Sequence, residues 1–299
     1  MLAWSPDGRI PAVGRETGRV SLCGWPDGRE LRRLEAHRGP VSTLGFSPDG
    51  LRLATGSWRE PEARFWNADT GEPRFVLDGH DGGVRWVGFS PDGRLAATRS
   101  AAHAVRIVAA DDGSPRPSPQ SEKGHRIARF LPDGRMVLLT AKDSVAFWDL
   151  AEGRILEERR LGAYAGHLVI SADAGTWAAS WSEAATVTLL DGGTLKAVRR
   201  LRGPTITKGT YEVAVSPDGR MVATVGLRGA ARVWDAATGR ERVALDGPEE
   251  GYTRAAFSAD GRFLALGAGD GVRVFAMPWP ETDDAFRRGV TGEPTRKSD

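Results

Sequence analysis

The 299-residue sequence has one cysteine, Cys23, and nothing approaching a membrane-length apolar run. The lone thiol excludes an internal disulfide framework and a thiolate metal cluster. Without about 18 consecutive apolar residues no helix can span a bilayer. Excess charge is also scarce: 41 Lys and Arg against 39 Asp and Glu leave a formal +2. Such a balance creates no broad basic field for nucleic acid. The opening Met1-Leu2-Ala3-Trp4-Ser5-Pro6 lacks the basic and apolar regions of a secretory leader, so a cytoplasmic location is expected. Catalytic motifs are missing too. Gly45-Phe46-Ser47-Pro48-Asp49 has Asp where a nucleophile elbow ends in Gly. Lys208-Gly209-Thr210 has the wrong order for a P-loop, and Gly267-Ala268-Gly269-Asp270-Gly271 misses the dinucleotide spacing. The five histidines have no paired spacing, so no metal and no cofactor are expected.

What is present is a repeat. Ser-Pro-Asp-Gly begins at Ser5, Ser47, Ser90 and Ser216, with variants beginning at Leu131, Ser171 and Ser258. Successive starts lie 42, 43, 41, 40, 45 and 42 residues apart, a period that marks a repeat architecture. Each tetrapeptide has the chemistry of a tight turn, with Pro presetting φ, Asp bonding the local backbone and Gly accepting a positive φ. In the second copy short apolar segments flank it at 41–46 and 53–56, a β-branched and aromatic segment follows at 63–66, and a weaker one at 74–77. Four such strands form an antiparallel sheet that cannot bury both faces alone, so seven are expected to stack radially. The expected fold is all-β, a seven-bladed β-propeller of four-stranded antiparallel blades.

The run Gly79-His80…Val84-Arg85-Trp86-Val87-Gly88-Phe89-Ser90-Pro91-Asp92-Gly93, with Trp148-Asp149 and Trp234-Asp235, resembles the WD40 repeat. The recurrent Ser-Pro-Asp-Gly-Arg resembles its bacterial form. The resemblance covers residues 1–279 and leaves a polar tail, 280–299. It implies an interaction platform, and a structural tetrad of His before the first strand, Ser or Thr in the second, Asp in the next turn and Trp in the third. Here it points to His37, Ser57 and Trp66 in blade 2, with the acid misplaced in a lengthened 58–62 connection. In blade 3 it points to His80 and Ser100, with Val108 for the Trp; in blade 4 to Thr140, Asp143 and Trp148; in blade 6 to Trp234. Cys23, Leu190 and Phe275 replace the Trp in blades 1, 5 and 7. His37 and His80 lie ten residues before their turns, whereas His125 and His167 lie six and four before theirs, out of register. No blade is expected to hold the full tetrad, so apolar packing between blades is expected to carry the fold. Pro11 falls inside the second strand of blade 1, where it would remove a ladder hydrogen bond. Ring closure is expected to be atypical or incomplete, with 285–290 as a candidate last strand for blade 7, or with this chain as part of a longer one.

Strand parity nominates binding residues. Counting back from the turn's first residue, positions −2 and −4 share the face toward the central channel. Position −2 is mostly Gly or Ala, but blade 4 has Arg129; position −4 holds Trp86, Glu212 and Arg254. The loops joining strands two and three open at the same mouth with Trp58 and Arg59, Trp181, and Arg228. Exposed Trp and Arg are enriched at interaction hot spots. The expectation is a non-catalytic, monomeric scaffold that docks a protein or peptide partner on this face. The alternatives are a hydrolase or lyase in the channel, near which only Glu212 and His167 are placed, and weak nucleic-acid binding through a ring of turn arginines. That ring (Arg9, Arg94, Arg135, Arg220, Arg262) sits beside the turn aspartates, which favours a neutral rim.

Overall fold

The computed structural model describes residues 1–120, 125–141, 143–163, 165–181, 186–201, 210–226, 231–248, 251–268 and 271–277. Every regular element among them is a β-strand. The chain packs as two compact units, Met1–Arg160 and Leu161–Asp299. The first holds four antiparallel sheets: β1–β4 (Leu2–Trp4, Pro11–Gly14, Arg19–Cys23, Glu30–Glu35), β5–β8 (Val41–Phe46, Arg52–Ser57, Ala63–Asn67, Pro73–Leu77), β9–β12 (Val84–Phe89, Leu95–Ser100, Val105–Ala109, Pro115–Arg116) and β13–β16 (Ala128–Phe130, Met136–Ala141, Ser144–Asp149, Arg154–Arg160). These are blades 1 to 4. The second unit holds blades 5 to 7: β17–β20 (His167–Ile170, Thr176–Trp181, Thr186–Asp191, Ala197–Leu201), β21–β24 (Thr210–Val215, Met221–Gly226, Ala231–Asp235, Glu241–Leu245) and β25–β27 (Arg254–Phe257, Phe263–Ala268, Gly271–Ala276). The candidate last strand at 285–290 and the tail 280–299 lie outside the described residues. Pro11 opens β2 rather than interrupting it, a position where a strand tolerates proline.

The turn tetrapeptide does more than reverse the chain. In blade 2 the Ser47 hydroxyl donates to Asp49 Oδ1 at 2.5 Å and accepts the Arg52 amide at 2.9 Å. Burial alone would raise the Asp49 pKa, but hydrogen bonds from Ser47, Arg52 and the Leu51 amide bring it down to about 2. Ser5, Ser90, Ser171, Ser216 and Ser258 repeat the bond to their Asp. The serine therefore ties the start of the second strand to the end of the first.

Between blades the contacts are apolar. Val20, Leu22 and Leu34 of blade 1 pack with Val41, Leu44 and Leu53 of blade 2. Phe65 joins Val84 and Phe89 across the next junction, and Ile107 joins Met136 and Trp148 across the third. In the second unit Leu189 packs with Val222 and Trp234, and Val233 with Leu264 and Leu266. Each side chain of this size contributes about 1.5–3 kcal/mol on full burial. The fourth strands are exposed and charged, as in Arg154–Arg160, which discourages edge-to-edge pairing.

Polar hubs interrupt this packing, and they differ from the sequence expectation. Blade 2 holds a complete tetrad, built on Thr55 rather than Ser57. His37 Nε2 lies 3.0 Å from the Thr55 hydroxyl, Trp66 Nε1 donates to the same oxygen at 3.0 Å, and His37 Nδ1 meets Glu60 Oε2 at 3.1 Å. The long 58–62 connection brings the acid back as Glu60. Ser57 Oγ instead accepts the Arg59 amide at 3.2 Å. In blade 3 the hydroxyl is Thr98, 2.7 Å from His80 Nε2, and not Ser100; in blade 6 it is Thr224, which accepts Trp234 Nε1 at 2.9 Å.

Blade 4 departs further. Thr140 donates to the Ser144 carbonyl and Asp143 accepts from the Ser144 hydroxyl, so neither serves Trp148. Trp148 pairs with Met136, which puts Leu138 where the other blades have Thr55, Thr98 and Thr224. His125 is in structural register after all. Its amide donates to the His103 carbonyl, just as those of His37 and His80 donate to Gly18 and Pro61 in the preceding blades. With a leucine at the hub, His125 Nδ1 and Nε2 and Trp148 Nε1 are buried without hydrogen-bond partners. His167 opens β17 and is exposed.

Thr55→Val keeps shape but orphans an imidazole and an indole nitrogen; at about 1–3 kcal/mol per buried orphan the expected loss is about 2–6 kcal/mol. Thr224→Val should cost about half as much. Urea-unfolding midpoints of the two variants check this, and equal midpoints would contradict the hub.

Burial holds His37 and His80 below the usual 6.5, against the upward pull of Glu60 on the first and the Pro61 carbonyl on the second; burial lowers His125 likewise. These groups are neutral when folded, while the unfolded chain binds protons from about pH 6.5 downward. Their contribution is therefore complete above that value and lost as pH falls through it. The thermal midpoint should drop between about pH 7.5 and about pH 5.5, above the range where carboxylates titrate. A flat profile there would contradict the assignment.

Candidate functional site

At the end of blades 2 to 4 where strands two and three are joined, aromatic and cationic side chains interleave. Trp58 follows β6 and is 40% exposed. The Arg59 guanidinium lies 4.6 Å from its ring centroid and that of Arg85 lies 5.8 Å from it. A Cβ on Gly83 would run into the Trp58 carbonyl; only glycine lets the linker into blade 3 support that loop. Trp86, half-buried on β9, carries the Arg129 guanidinium at 5.3 Å and packs on Phe130 at 6.2 Å. Gly88 leaves the indole its room, since a Cβ there would stand 2.5 Å from Trp86 Cζ2.

Three further groups join these. Val84 pairs with Ser100 and Trp86 with Arg99, which leaves Arg85 in a β-bulge. Bulges re-aim side chains at functional edges, and Arg85 is exposed. Directly opposed residues share a face, so Arg99 lies on the Trp86 side. Arg99 Nη1 donates to His103 Nδ1 at 3.1 Å and to the Ser100 carbonyl at 3.4 Å, while its Nε is buried without a partner. Burial first, then Arg85 and Arg126, bring the Arg99 pKa down to about 10. His103 has a left-handed φ of 66°. Burial, then Arg99, Arg126 and Arg85, depress its pKa, so the ring is neutral and its Nδ1 free to accept. Among the described residues no carboxylate pairs with Arg85 or Arg99.

The structure thus brings Trp58, Arg59, Trp86 and Arg129 into one unit. Glu212 and Arg254, on β21 and β25 of the other, are engaged with each other at 3.4 Å. Trp181 ends β18 opposite Thr186 instead of lying in a loop, and Arg228 lies outside the described residues. Of the turn arginines, Arg94, Arg135 and Arg220 pair with Asp92, Asp133 and Asp218 at 4.0, 2.7 and 3.5 Å. Among the described residues no group of three or more His, Cys, Asp or Glu could hold a metal, and no helix is long and apolar enough to cross a membrane.

Period-two counting missed Arg85, Arg99, His103 and Arg126. The bulge breaks the alternation that the count assumes, and it recurs at Ser42 in blade 2 and Tyr211 in blade 6. A signal was nevertheless available. Opposite position −4 stand Gly56 in blade 2 and Gly267 in blade 7, but Arg99 in blade 3.

The family model described as "WD domain, G-beta repeat" matches residues 28–67, 71–114 and 195–235. Each match begins near the outer strand of one blade and ends with the three inner strands of the next. The Cps50 (Swd1) β-propeller domain of Myceliophteria thermophila superposes with a TM-score of 0.80 over 93% of this chain and 96% of that one, at 15% identity; that likeness shows the fold. The chain is also similar to a Periodic tryptophan protein 2 homolog of Neurospora crassa, 38% identical over 77 residues. Telomerase protein component 1 of Rattus norvegicus is 37% identical over 76, and Telomerase Cajal body protein 1 of Homo sapiens 32% over 77. The matched stretches make up 24–25% of this chain and 8%, 3% and 14% of those relatives.

A desolvated cation among cations destabilises the fold that holds it. Arg99→Met should therefore raise stability, on the order of 1 kcal/mol. A lower thermal midpoint for this variant would show that Arg99 serves the fold.

Proposed function

The chain carries WD40 repeats on a seven-bladed β-propeller, and from that premise we propose that it is a non-catalytic scaffold. It docks a protein or peptide partner at the strand two–three end of blades 2 to 4. The observation that carries this reading is Trp58, exposed and flanked by the guanidinium groups of Arg59 and Arg85. A large aromatic surface held in place by its neighbours loses little side-chain entropy on binding, and Trp with Arg dominates interface energetics. Trp86 and Arg129 extend the same surface inward. One similar protein is by its name a component of telomerase, an assembly role of the kind proposed here.

Capture of partners on immobilised full-length chain tests the reading. Trp58→Ala combined with Arg59→Ala should weaken retention of the captured partner on the order of tenfold, a loss typical of a hot spot, with an unchanged melting temperature. Undiminished retention would move the docking surface elsewhere.

A further inference from the structure

We infer that the outer edge of blade 3 receives an extended, leucine-bearing segment of another protein, added beside β11 where β12 stops. The site is separate from Trp58 and does not rest on the docking reading above. In blade 3 the ladder between the third and fourth strands has only two rungs, Ile107 with Arg116 and Val108 with Pro115. The residue three before the Trp position of the third strand shows what is lost. Opposite it stand Leu34 in blade 1, Leu77 in blade 2, Leu201 in blade 5 and Leu245 in blade 6, facing Val20, Ala63, Val187 and Ala231. Blade 4 has Arg159 there, facing Val145. Leu34, Leu201 and Leu245 are buried. In blade 3 the corresponding residue is Val105, and no described residue pairs with it across that edge.

A side chain levers the fourth strand away. Ser118 Oγ accepts the Ile107 amide at 2.8 Å and donates to the Arg116 carbonyl at 3.0 Å, so a hydroxyl stands where a direct backbone bond would be. A cavity of about 690 Å³ lies at this edge, with Leu77, Val105, Ile107, Ser118, Pro119 and His125 in its lining. Its polar groups suit a strand. The Ala104 carbonyl accepts the Ser100 amide toward β10, whereas the Ala109 and Ile107 amides point the other way, to Ser114 and Ser118. Alternation along β11 therefore turns the Val105 N–H and C=O outward, and these are the two groups that one residue of an antiparallel neighbour engages. Leaving them unpaired while buried costs free energy. His125, with both ring nitrogens unpartnered, borders the same space and offers a further polar contact. The chain's own connection from β12 to His125 reads Pro119-Gln120-Ser121-Glu122-Lys123-Gly124 and contains no leucine. A leucine on an added strand supplies what four other blades possess. In such strand addition the main-chain bonds give affinity and the side-chain pocket gives specificity.

The test uses the purified full chain and three degenerate peptide pools whose central residue is fixed as Leu, Ala or N-methyl-leucine. The Leu pool should be retained on the order of tenfold above the Ala pool, from the apolar area that leucine adds. N-methylation removes the donor that the Val105 carbonyl accepts, so that pool should fall to the Ala level. Ala104→Trp and Ala102→Trp, at exposed positions of the lining, should fill the cavity and abolish the preference for leucine. The second variant decides the matter if the first fails to fold. Trp58→Ala should leave the preference unchanged. Equal retention of the Leu and Ala pools, or of the Leu and N-methyl-leucine pools, would overturn the inference. So would a preference that survives both tryptophan variants, one that vanishes with Trp58→Ala, or failure of every pool to be retained. A dimer of this chain that Ala104→Trp disperses would put a second copy at the edge and overturn it as well.

Discussion

A four-stranded sheet of this composition has two apolar faces and can cover neither by itself. Everything else in the molecule follows from that constraint. Within each unit, leucines, valines and aromatics from adjoining blades share single clusters, such as Leu22 with Leu53 or Phe65 with Phe89. The polar hubs are secondary to this packing. Blade 2 has all four tetrad members, blade 3 lacks the indole, and blade 4 lacks the hydroxyl that would serve its imidazole and indole, yet all three form. A fold that tolerates such loss holds its blades by apolar burial and uses the hubs to trim it.

The repeat was fully legible in the sequence because Ser-Pro-Asp-Gly reports a local requirement. A turn carboxylate stands wherever strand one meets strand two, and in every blade but the fourth, which has Leu131, a buried serine hydroxyl binds it. The tetrad was less legible because its spacing runs through loops. Ser57 and Thr55 both face the right way by parity, and the sequence does not say that the indole of Trp66 reaches the earlier one. His125 illustrates the same point in reverse: counted from its turn it is misplaced, but its amide meets the preceding blade where those of His37 and His80 do. Blade 4 has shortened its first strand instead of losing its histidine.

The candidate site was legible in part. Trp58, Trp86 and Arg129 stand out as large side chains in a series of small ones, and they come together as cation–aromatic contacts. Arg85 and Arg99 remained hidden because a bulge turns one outward and because arginine is unremarkable in a chain this rich in it. Among the described residues no carboxylate pairs with either, a property of the three-dimensional arrangement. Elsewhere the same chain neutralises its cations, as at Arg254 with Glu212 and Arg135 with Asp133.

The matched repeats at 28–67, 71–114 and 195–235 each begin near an outer strand and finish in the following blade. The unit that is copied along the sequence and the unit that packs are thus out of phase by one strand. Each of these three boundaries falls inside a sheet, so blade 2, for one, is a covalent splice of two repeats. Excising one repeat removes the outer strand from one blade and the inner three from its neighbour, and the new junction joins them into a whole blade. Length can change by whole repeats along such a chain without exposing a sheet edge, whereas a cut at a blade boundary leaves a fragment whose ends no longer match the repeat.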